Sequence, residues 1–517
     1  MKRRYIAIGL TLLASLGIVA GCGKKSADST KTKSDADITV WDPYLAPSST
    51  VSSWKKSPFH TGLAKASGIK VDWQFPSEGT DWAQAYNLMM SEKTKPDIIH
   101  YTLRSEAEAY IKDGTIYDLT KLLPKKAPNY WKFLKSHPEF DKAVKTDSGK
   151  YFGFGFFRED PSQGIFIGPQ IRQDWLDADG LKSPTNIKEW EAVLKDFKEK
   201  HHATMAWVND KMDPGLAGAF GAYATALPSW YIDKDGKTVK FAQAQPEWRN
   251  YMAWLHKMYQ KGYIDPDVVT MDDAALETKV SNDKVGIAFT YGSRLTIFND
   301  NAKKAGSKAN WQPVMYANQA DGKKSASIYA NGQVASDAWV VTTSAKGKEL
   351  DKALKWLDYA YSKEGNLYWN MGTKGVSYTM KDGKPVYTDK VLKAKIGISE
   401  ARKLYTGNTG SGLGMQDVSA TATNASSIKT GDVWFNNNKA AADARLNQPI
   451  SMTSAESKEF ATISNTLNTY VTENAYNFIT GDKPISEYDD FVKELNKQGL
   501  KKLEKIRQAA FDRYLKR

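Results

Sequence analysis

This 517-residue chain predicts an α/β architecture in at least two lobes, on three observations. Short apolar strands alternate with amphipathic helices, the pattern of largely parallel sheets covered by helices. The body of about 480 residues exceeds what one hydrophobic core organises. A single cysteine rules out any disulfide within the chain, so apolar burial must hold the body, which this length permits.

Taken in order, Ile38-Thr39-Val40-Trp41 reads as the first strand, ended by Asp42-Pro43. Lys70 to Phe75 reads as a strand, Trp82 to Lys93 as a helix and Pro96 to Tyr101 as the next strand. Ile187 to Lys200 and Tyr251 to Tyr259 have helical spacing; in the second, Tyr251, Trp254, Leu255 and Met258 recur at i, i+3, i+4 and i+7. Val285 to Thr290 reads as a buried strand and Trp339 to Thr343 as another. Asp235-Gly236 marks a hairpin turn. There is no internal repeat of fixed period.

The N-terminus has its own signature. Lys2, Arg3 and Arg4 precede an apolar stretch from Ile6 to Ala20, and Val19-Ala20-Gly21 sets small residues before Cys22. The order resembles the lipobox of bacterial lipoproteins, which implies cleavage after residue 21 and a diacylated Cys22 as the new N-terminus. The apolar run is about 15 residues, short of the ~20 that span a bilayer. One acyl chain holds only marginally, whereas several hold a protein on a membrane face. Residues 22–37 carry no aromatic or large aliphatic side chain and read as a flexible tether. The fifteen residues from Gly23 to Asp37 place the body ~20 Å from the lipid on average.

Loss of Lys2, Arg3 and Arg4 takes the formal net charge from +13 to +10. The excess is spread over Lys-rich helices without forming a block, which argues against a nucleic-acid partner. The 16 Trp and 26 Tyr are an unusual load of flat apolar faces with polar edges. A carbohydrate cleft needs such faces, because sugar rings present apolar C–H faces and hydroxyls.

Several blocks then resemble one family. They are Asn87-Leu88-Met89-Met90 before Lys95-Pro96-Asp97-Ile98-Ile99, and Arg172-Gln173-Asp174-Trp175-Leu176 with Gly180-Leu181, Pro184-Thr185 and Glu189-Trp190. Ala353 to Tyr359 with Tyr361-Ser362, Glu364-Gly365, Met371-Gly372, Gly375 and Tyr378, and the tail from Tyr470-Val471 through Phe478 to Gly481, Ala509 and Tyr514, complete the set. The chain resembles the large lipoprotein branch of the extracellular solute-binding proteins of ABC importers, family 1. The resemblance implies a two-lobed, periplasmic-binding-protein-like (type II) fold with an interlobe cleft. It implies capture of an oligosaccharide and delivery to permease subunits, by a monomer lipid-anchored on the outer face of a bacterial cell membrane, without catalysis or cofactor. The lobes would be discontinuous, 38–157 with 337–435 and 158–336 with 436–517. Crossings would fall near Phe157 to Gln163, near Ala335 to Val341, and between Val433 and Ser454.

Other chemistries lack their residues. Some alginate-binding members of the family it resembles carry an EF-hand-like calcium loop after the helix that here is Ile187 to Lys200, but His201-His202-Ala203-Thr204 stand there instead. Asp177, Asp179 and Gly180 mimic part of a calcium loop, yet Trp175 and Asn186 occupy positions 1 and 12; Asp233, Asp235 and Gly236 fail similarly, with Tyr231 at position 1. No metal is expected. Gly410 to Gly414 lacks the Lys-Ser/Thr of a phosphate loop, and HExxH and GxSxG are absent. Glu159, Asp160 and Asp42 form no pattern that selects a glycosidase pair.

Ligands of open α/β sheets sit outside the carboxyl ends of strands. That rule nominates Trp41 and Tyr44, Tyr101 and Arg104, Tyr291 and Arg294, with Arg158 at the crossing, Arg172 and Trp175 beyond it, and Trp339 on a crossover strand. Trp207, Trp230, Trp369 and Trp434 rank below these. Each aromatic has a core role as its alternative, and each arginine a structural ion pair. Without the calcium loop, a neutral or mildly acidic oligosaccharide is favoured over a strongly acidic one.

Overall fold

The computed structural model describes residues 35–45, 53–77, 79–208, 215–224, 226–328, 332–396, 398–409, 411–417, 430, 432–435 and 449–517. The signal segment, Cys22 and most of the tether lie outside the described residues, as does Gly410. The strands are β1 (Ile38–Trp41), β2 (Val71–Gln74), β3 (Ile98–Tyr101), β4 (Phe154–Arg158), β5 (Ile167–Arg172), β6 (Thr204–Trp207) and β7 (Trp230–Ile232). They continue as β8 (Val239–Phe241), β9 (Val285–Tyr291), β10 (Trp311–Pro313), β11 (Val334–Val341), β12 (Tyr378–Lys381), β13 (Lys384–Tyr387) and β14 (Gly414–Gln416).

Two main sheets organise the body. One has six strands in the order β14-β4-β11-β3-β1-β2, the other four in the order β10-β5-β9-β6; β7–β8 and β12–β13 are separate hairpins. The sheets are mixed, not largely parallel. β1 runs parallel to β2 and β3, and β6 to β9. By contrast, β11 is antiparallel to β3 and β4, and β5 to β9 and β10. The antiparallel partners β4, β5, β10 and β11 flank the first two chain crossings, where a strand entering from the other sheet arrives in the opposite sense to strands wound by βαβ units.

Each sheet has its own core. Val40, Ile98, Trp339, Trp356 and Trp369 pack on one face of the six-stranded sheet; Trp41, Ile99, Ala338 and Val340 pack on the other. The second sheet buries Ile171, Met205, Ile287 and Phe289 against helices that contribute Trp190, Trp248, Tyr251 and Phe491. The helix Pro246–Gln260 begins ahead of the segment read from periodicity, because Pro246 is suited to a first turn that needs no N–H. The helix Ile187–His201 starts where the Asn186 side chain accepts from the amides of Lys188 and Glu189. The longest, Ser454–Thr480, opens on a reciprocal capping box between Thr453 and Glu456 and closes at Gly481, φ 92°.

The chain passes between sheets from β4 to β5, from β10 to β11, and again after β14. Trp434 packs against the second sheet: its indole N–H lies 3.2 Å from the carbonyls of both Pro169 and Val314. The third crossing, expected between Val433 and Ser454, falls largely outside the described residues. The last helix, Leu500–Lys516, places Leu503 in the second core. Its end reaches back to the turn at Asp147, which accepts from Arg513, Arg517 and Ser451, while Arg517 donates to the Lys145 carbonyl at 2.7 Å.

Candidate functional site

Alternation along the strands of the six-stranded sheet builds the site. Val40 lies beside Trp73 and Ile98, and His100 pairs with Trp339. With side chains alternating between faces, Asp42, Trp73, His100, Asp337 and Trp339 fall on one face, and Trp41, Ile99 and Tyr101 on the other. At the carboxyl ends of β1 and β3 that first face opens into a cavity of about 180 Å³. Its lining also includes Tyr44, Phe59, His60, Trp82, Trp369 and Lys403, with Thr406, Gly407, Thr409, Ser411 and Gly412.

Asp42 ends β1 and starts a tight turn, its Oδ1 accepting from the Tyr44 amide at 3.0 Å. The same carboxylate lies 3.2 Å from His100 Nδ1, an ion-pair distance but off the hydrogen-bond direction. His100 Nε2 makes the better contact, 2.6 Å to Asp337 Oδ2. The ring stacks flat on Trp339, 4.0 Å between centroids. Burial alone would push this imidazole down, but the Asp42 and Asp337 carboxylates outweigh it and hold it up at about 9, so it is an imidazolium at neutral pH. Trp339 is fixed in turn by its indole N–H, which donates to the Gly412 carbonyl at 2.8 Å.

His60 behaves oppositely. It projects from the helix Pro58–Ser67, whose cap Ser57 contacts its Nδ1 at 2.7 Å, and it sits edge-on to Trp73 at 4.5 Å. Burial pushes it down to about 4, only partly offset by the Asp42 charge and the Trp54 carbonyl. It is therefore neutral, and its Nε2 is buried without a hydrogen-bond partner. At the mouth, Trp82 is 49% exposed and meets the Tyr44 ring edge-on at 5.0 Å. An aromatic ring that exposed offers a stacking platform for an apolar ligand face.

The residues nominated from the sequence distribute as follows. Tyr44, Trp339 and Trp369 line the cavity. Trp41 and Tyr101 pack with Tyr86 on the opposite face. Arg104 is buried and donates to the Ala143 and Ala335 carbonyls; Arg158 Nη1 donates to the Gly332 carbonyl at 3.2 Å. Arg172 grips Asp174 in a two-pronged contact of 2.9 and 2.7 Å, pairs with Asp283 and lies over the Trp175 ring. Trp175 also stacks on His201. Arg294 pairs with Asp273 and Glu277, and Tyr291 stacks on Phe166 at the end of β9. Trp207 lies in the second core, Trp230 packs on Phe241 and Phe460, and Trp434 sits on β5. The sequence reading passed over Phe59, His60, Trp73, Trp82 and His100 as ligand contacts, and weighed Asp42 only as a catalytic carboxylate. One signal was available: Asp42 and His100 follow the buried Val40 and Ile98 by two positions each.

Near the partial calcium loop, Asp179, Asp196 and His201 bring ligand-type atoms within 4.8 Å of one another. The Lys200 ammonium already lies between the two carboxylates, 2.7 Å from Asp196 and 3.4 Å from Asp179, and His201 contacts Asp179 at 2.7 Å. The chain thus supplies its own positive charge there.

Residues 46–367 match the family model of the bacterial extracellular solute-binding proteins, more than half of the chain, and the protein belongs to that family. It is a binding protein, not an enzyme. Among its relatives, Lipoprotein LipO of Bacillus subtilis is 25% identical over 409 residues, covering 74% of this chain and 75% of LipO. The fructooligosaccharide ABC transporter substrate-binding protein FusA of Streptococcus pneumoniae is 24% identical and covers 97% of both chains. In structure, FusA in complex with kestose gives a TM-score of 0.69 at 21% identity, over 92% of this chain and 98% of FusA. The alginate-binding protein AlgQ2 without calcium ion gives 0.72 at 22% identity over the same shares. These likenesses establish the two-lobed α/β fold.

Proposed function

We propose that the protein is the membrane-tethered receptor of an ABC importer, which captures an oligosaccharide between its lobes and hands it to permease subunits as a monomer. The observation that carries this reading is the aromatic-walled cavity at the carboxyl ends of β1 and β3, which combines stacking faces with buried, unpartnered polar atoms. Its relatives FusA and LipO, a fructooligosaccharide-binding component and a lipoprotein, support the cargo and the anchor. We assign the lobes as 38–157 with 337 to about 417, and 158–336 with 430–517, a division supported by the two separate sheets and by the contacts of Trp434 with Pro169 and Val314. Calorimetric titration of the untethered body with an oligosaccharide panel tests the reading. One saturable site, compaction in solution scattering and intact sugar afterwards are expected. Absence of saturable binding across the panel, or cleavage of any member, overturns it.

The anchor is a separate matter. No helix among the described residues is long and apolar enough to cross a membrane. We assign attachment to acyl chains on Cys22, holding the body at the outer face of the cell membrane. Cys22→Ala is expected to abolish incorporation of radiolabelled palmitate and to move the protein out of the membrane fraction. Mass spectrometry that finds wild-type Cys22 without lipid removes this assignment and leaves the solute-binding role standing.

A further inference from the structure

We propose that the cavity behind Tyr44 is the subsite for one end ring of the ligand, and that it admits an uncharged ring while turning away rings that carry a carboxylate. The inference rests on the oligosaccharide reading above and sharpens it.

Size is the first argument. At about 180 Å³ the cavity is smaller than the ~300–1,000 Å³ of sites that enclose drug-sized ligands, so it takes one ring and leaves the rest of a chain outside. Its walls suit the flat apolar faces of a sugar, with Trp73, Trp339 and Trp369 around the inside and Trp82 at the lip.

The polar atoms inside select by charge. The Asp42 side chain is 5% exposed. Its Oδ1 is used by the Tyr44 amide and faces His100, while Oδ2 takes no hydrogen bond from the described residues. His60 Nε2 and the Trp369 indole N–H are buried polar atoms of the same lining without a hydrogen-bond partner. Two such atoms converging on one cavity call for a ligand with hydroxyls, since a buried polar group left unpaired is costly. A hydroxyl donating to Asp42 Oδ2 would make a charge-assisted bond.

The ionic balance then excludes acids. One imidazolium, His100, stands between two carboxylates, Asp42 and Asp337, leaving the group one net negative charge. The remaining cation of the lining, among the described residues, is Lys403. Its side chain is 39% exposed and is held by Glu400 at 2.7 Å. No described lining residue is an arginine to form the two-pronged contact that recognises a carboxylate. An acidic ring would bring a second negative charge against Asp42 in a poorly screened site.

The test uses matched pairs: neutral tri- and tetrasaccharides, kestose and maltotriose among them, and their counterparts with terminal hydroxymethyl groups oxidised to carboxylates. Binding is read by calorimetry and by tryptophan quenching at low ionic strength. The neutral member of a binding pair is expected to bind at least about a hundredfold more tightly, because like charges repel strongly where screening is poor. Asp42→Asn is expected to weaken the neutral ligand roughly tenfold, by exchanging a charge-assisted bond for a neutral one, and to narrow the gap within each pair. Trp82→Ala, at the exposed lip, should weaken both members by similar factors and leave their ratio unchanged. Oxidised ligands binding within tenfold of their neutral partners, or an Asp42→Asn protein of native circular dichroism with an unchanged ratio, overturns the inference and leaves the receptor reading intact. If Asp42→Asn does not fold, the wild-type ratio decides alone. If no member of any pair binds, the receptor reading falls and takes this inference with it.

Discussion

Raising the pH through 9 is expected to remove about 3 kcal/mol of folding stability through one residue, His100. Its imidazole is held at about 9, against 6.5 for the ordinary side chain. A group whose pKa is raised on folding stabilises fully below the unfolded value and loses that contribution as pH climbs to the folded one. The effect is thus complete below pH 6.5, largely present at neutrality and gone above pH 9. His100→Gln is expected to flatten the dependence of the urea midpoint between pH 7 and 9. At neutral pH it should also cost about 3–5 kcal/mol, because Asp42 and Asp337 are left buried without their cation. Equal pH slopes for wild type and variant would show that His100 is neutral in the folded protein.

Trp339→Ala is expected to destabilise the protein by about 3–5 kcal/mol, the range for deleting a large buried aromatic side chain. Trp339 joins several parts of the site. It stacks on His100 and makes edge or tilted contacts with Trp73, Trp356 and Trp369, and its N–H satisfies the Gly412 carbonyl. The variant therefore opens a void between the core and the ligand cavity, and sugar affinity should fall with stability. Trp339→Phe should recover part of the stability but not the Gly412 contact. Trp82→Ala serves as the control, since an exposed ring at the mouth should cost within about 0.5 kcal/mol. Urea denaturation separates these outcomes, and a Trp339→Ala protein within 1 kcal/mol of wild type, roughly the scale of a single surface change, would contradict the packing described.

The secondary structure was legible where period and punctuation agreed. The strand read at 38–41 is β1, and the helix read from Ile187 to Lys200 ends one residue later, at His201. Pairing sense was not legible, because the turning strands β4 and β11 gain their partners only after the chain has crossed between sheets. The site was half legible for a related reason. Tyr44 could be placed by its position after β1, but Trp41, three residues earlier, turns to the opposite face, and only the register with β3 shows which face opens. The arginines were ambiguous because their partners are remote or unremarkable in sequence: Asp283 lies 111 residues from Arg172, and Arg104 is satisfied by backbone carbonyls. His100 stood inside an apolar strand, with nothing local to reveal Asp337, 237 residues away.

The strand order of the six-stranded sheet bears on how the chain acquires its shape after leaving the cell. An exported polypeptide emerges N-terminus first, and β1, β2 and β3 emerge early. The strand that joins β3 to β4, however, is β11, which begins at Val334, and the outermost strand, β14, ends at Gln416. The four-stranded sheet lies wholly between Ile167 and Pro313, so its strands are all outside before β11 appears. Non-local pairings of this kind form slowly and leave unpaired edges open to association in the meantime. The four-stranded sheet can thus pair first, but its core closes only when the C-terminal helices that carry Leu467, Phe491 and Leu503 have emerged, and the cavity that needs Asp42, His100 and Trp339 together waits for β11. A chain of this topology spends the close of its secretion with one sheet paired but its core uncovered, the interval in which folding helpers outside the membrane would matter most.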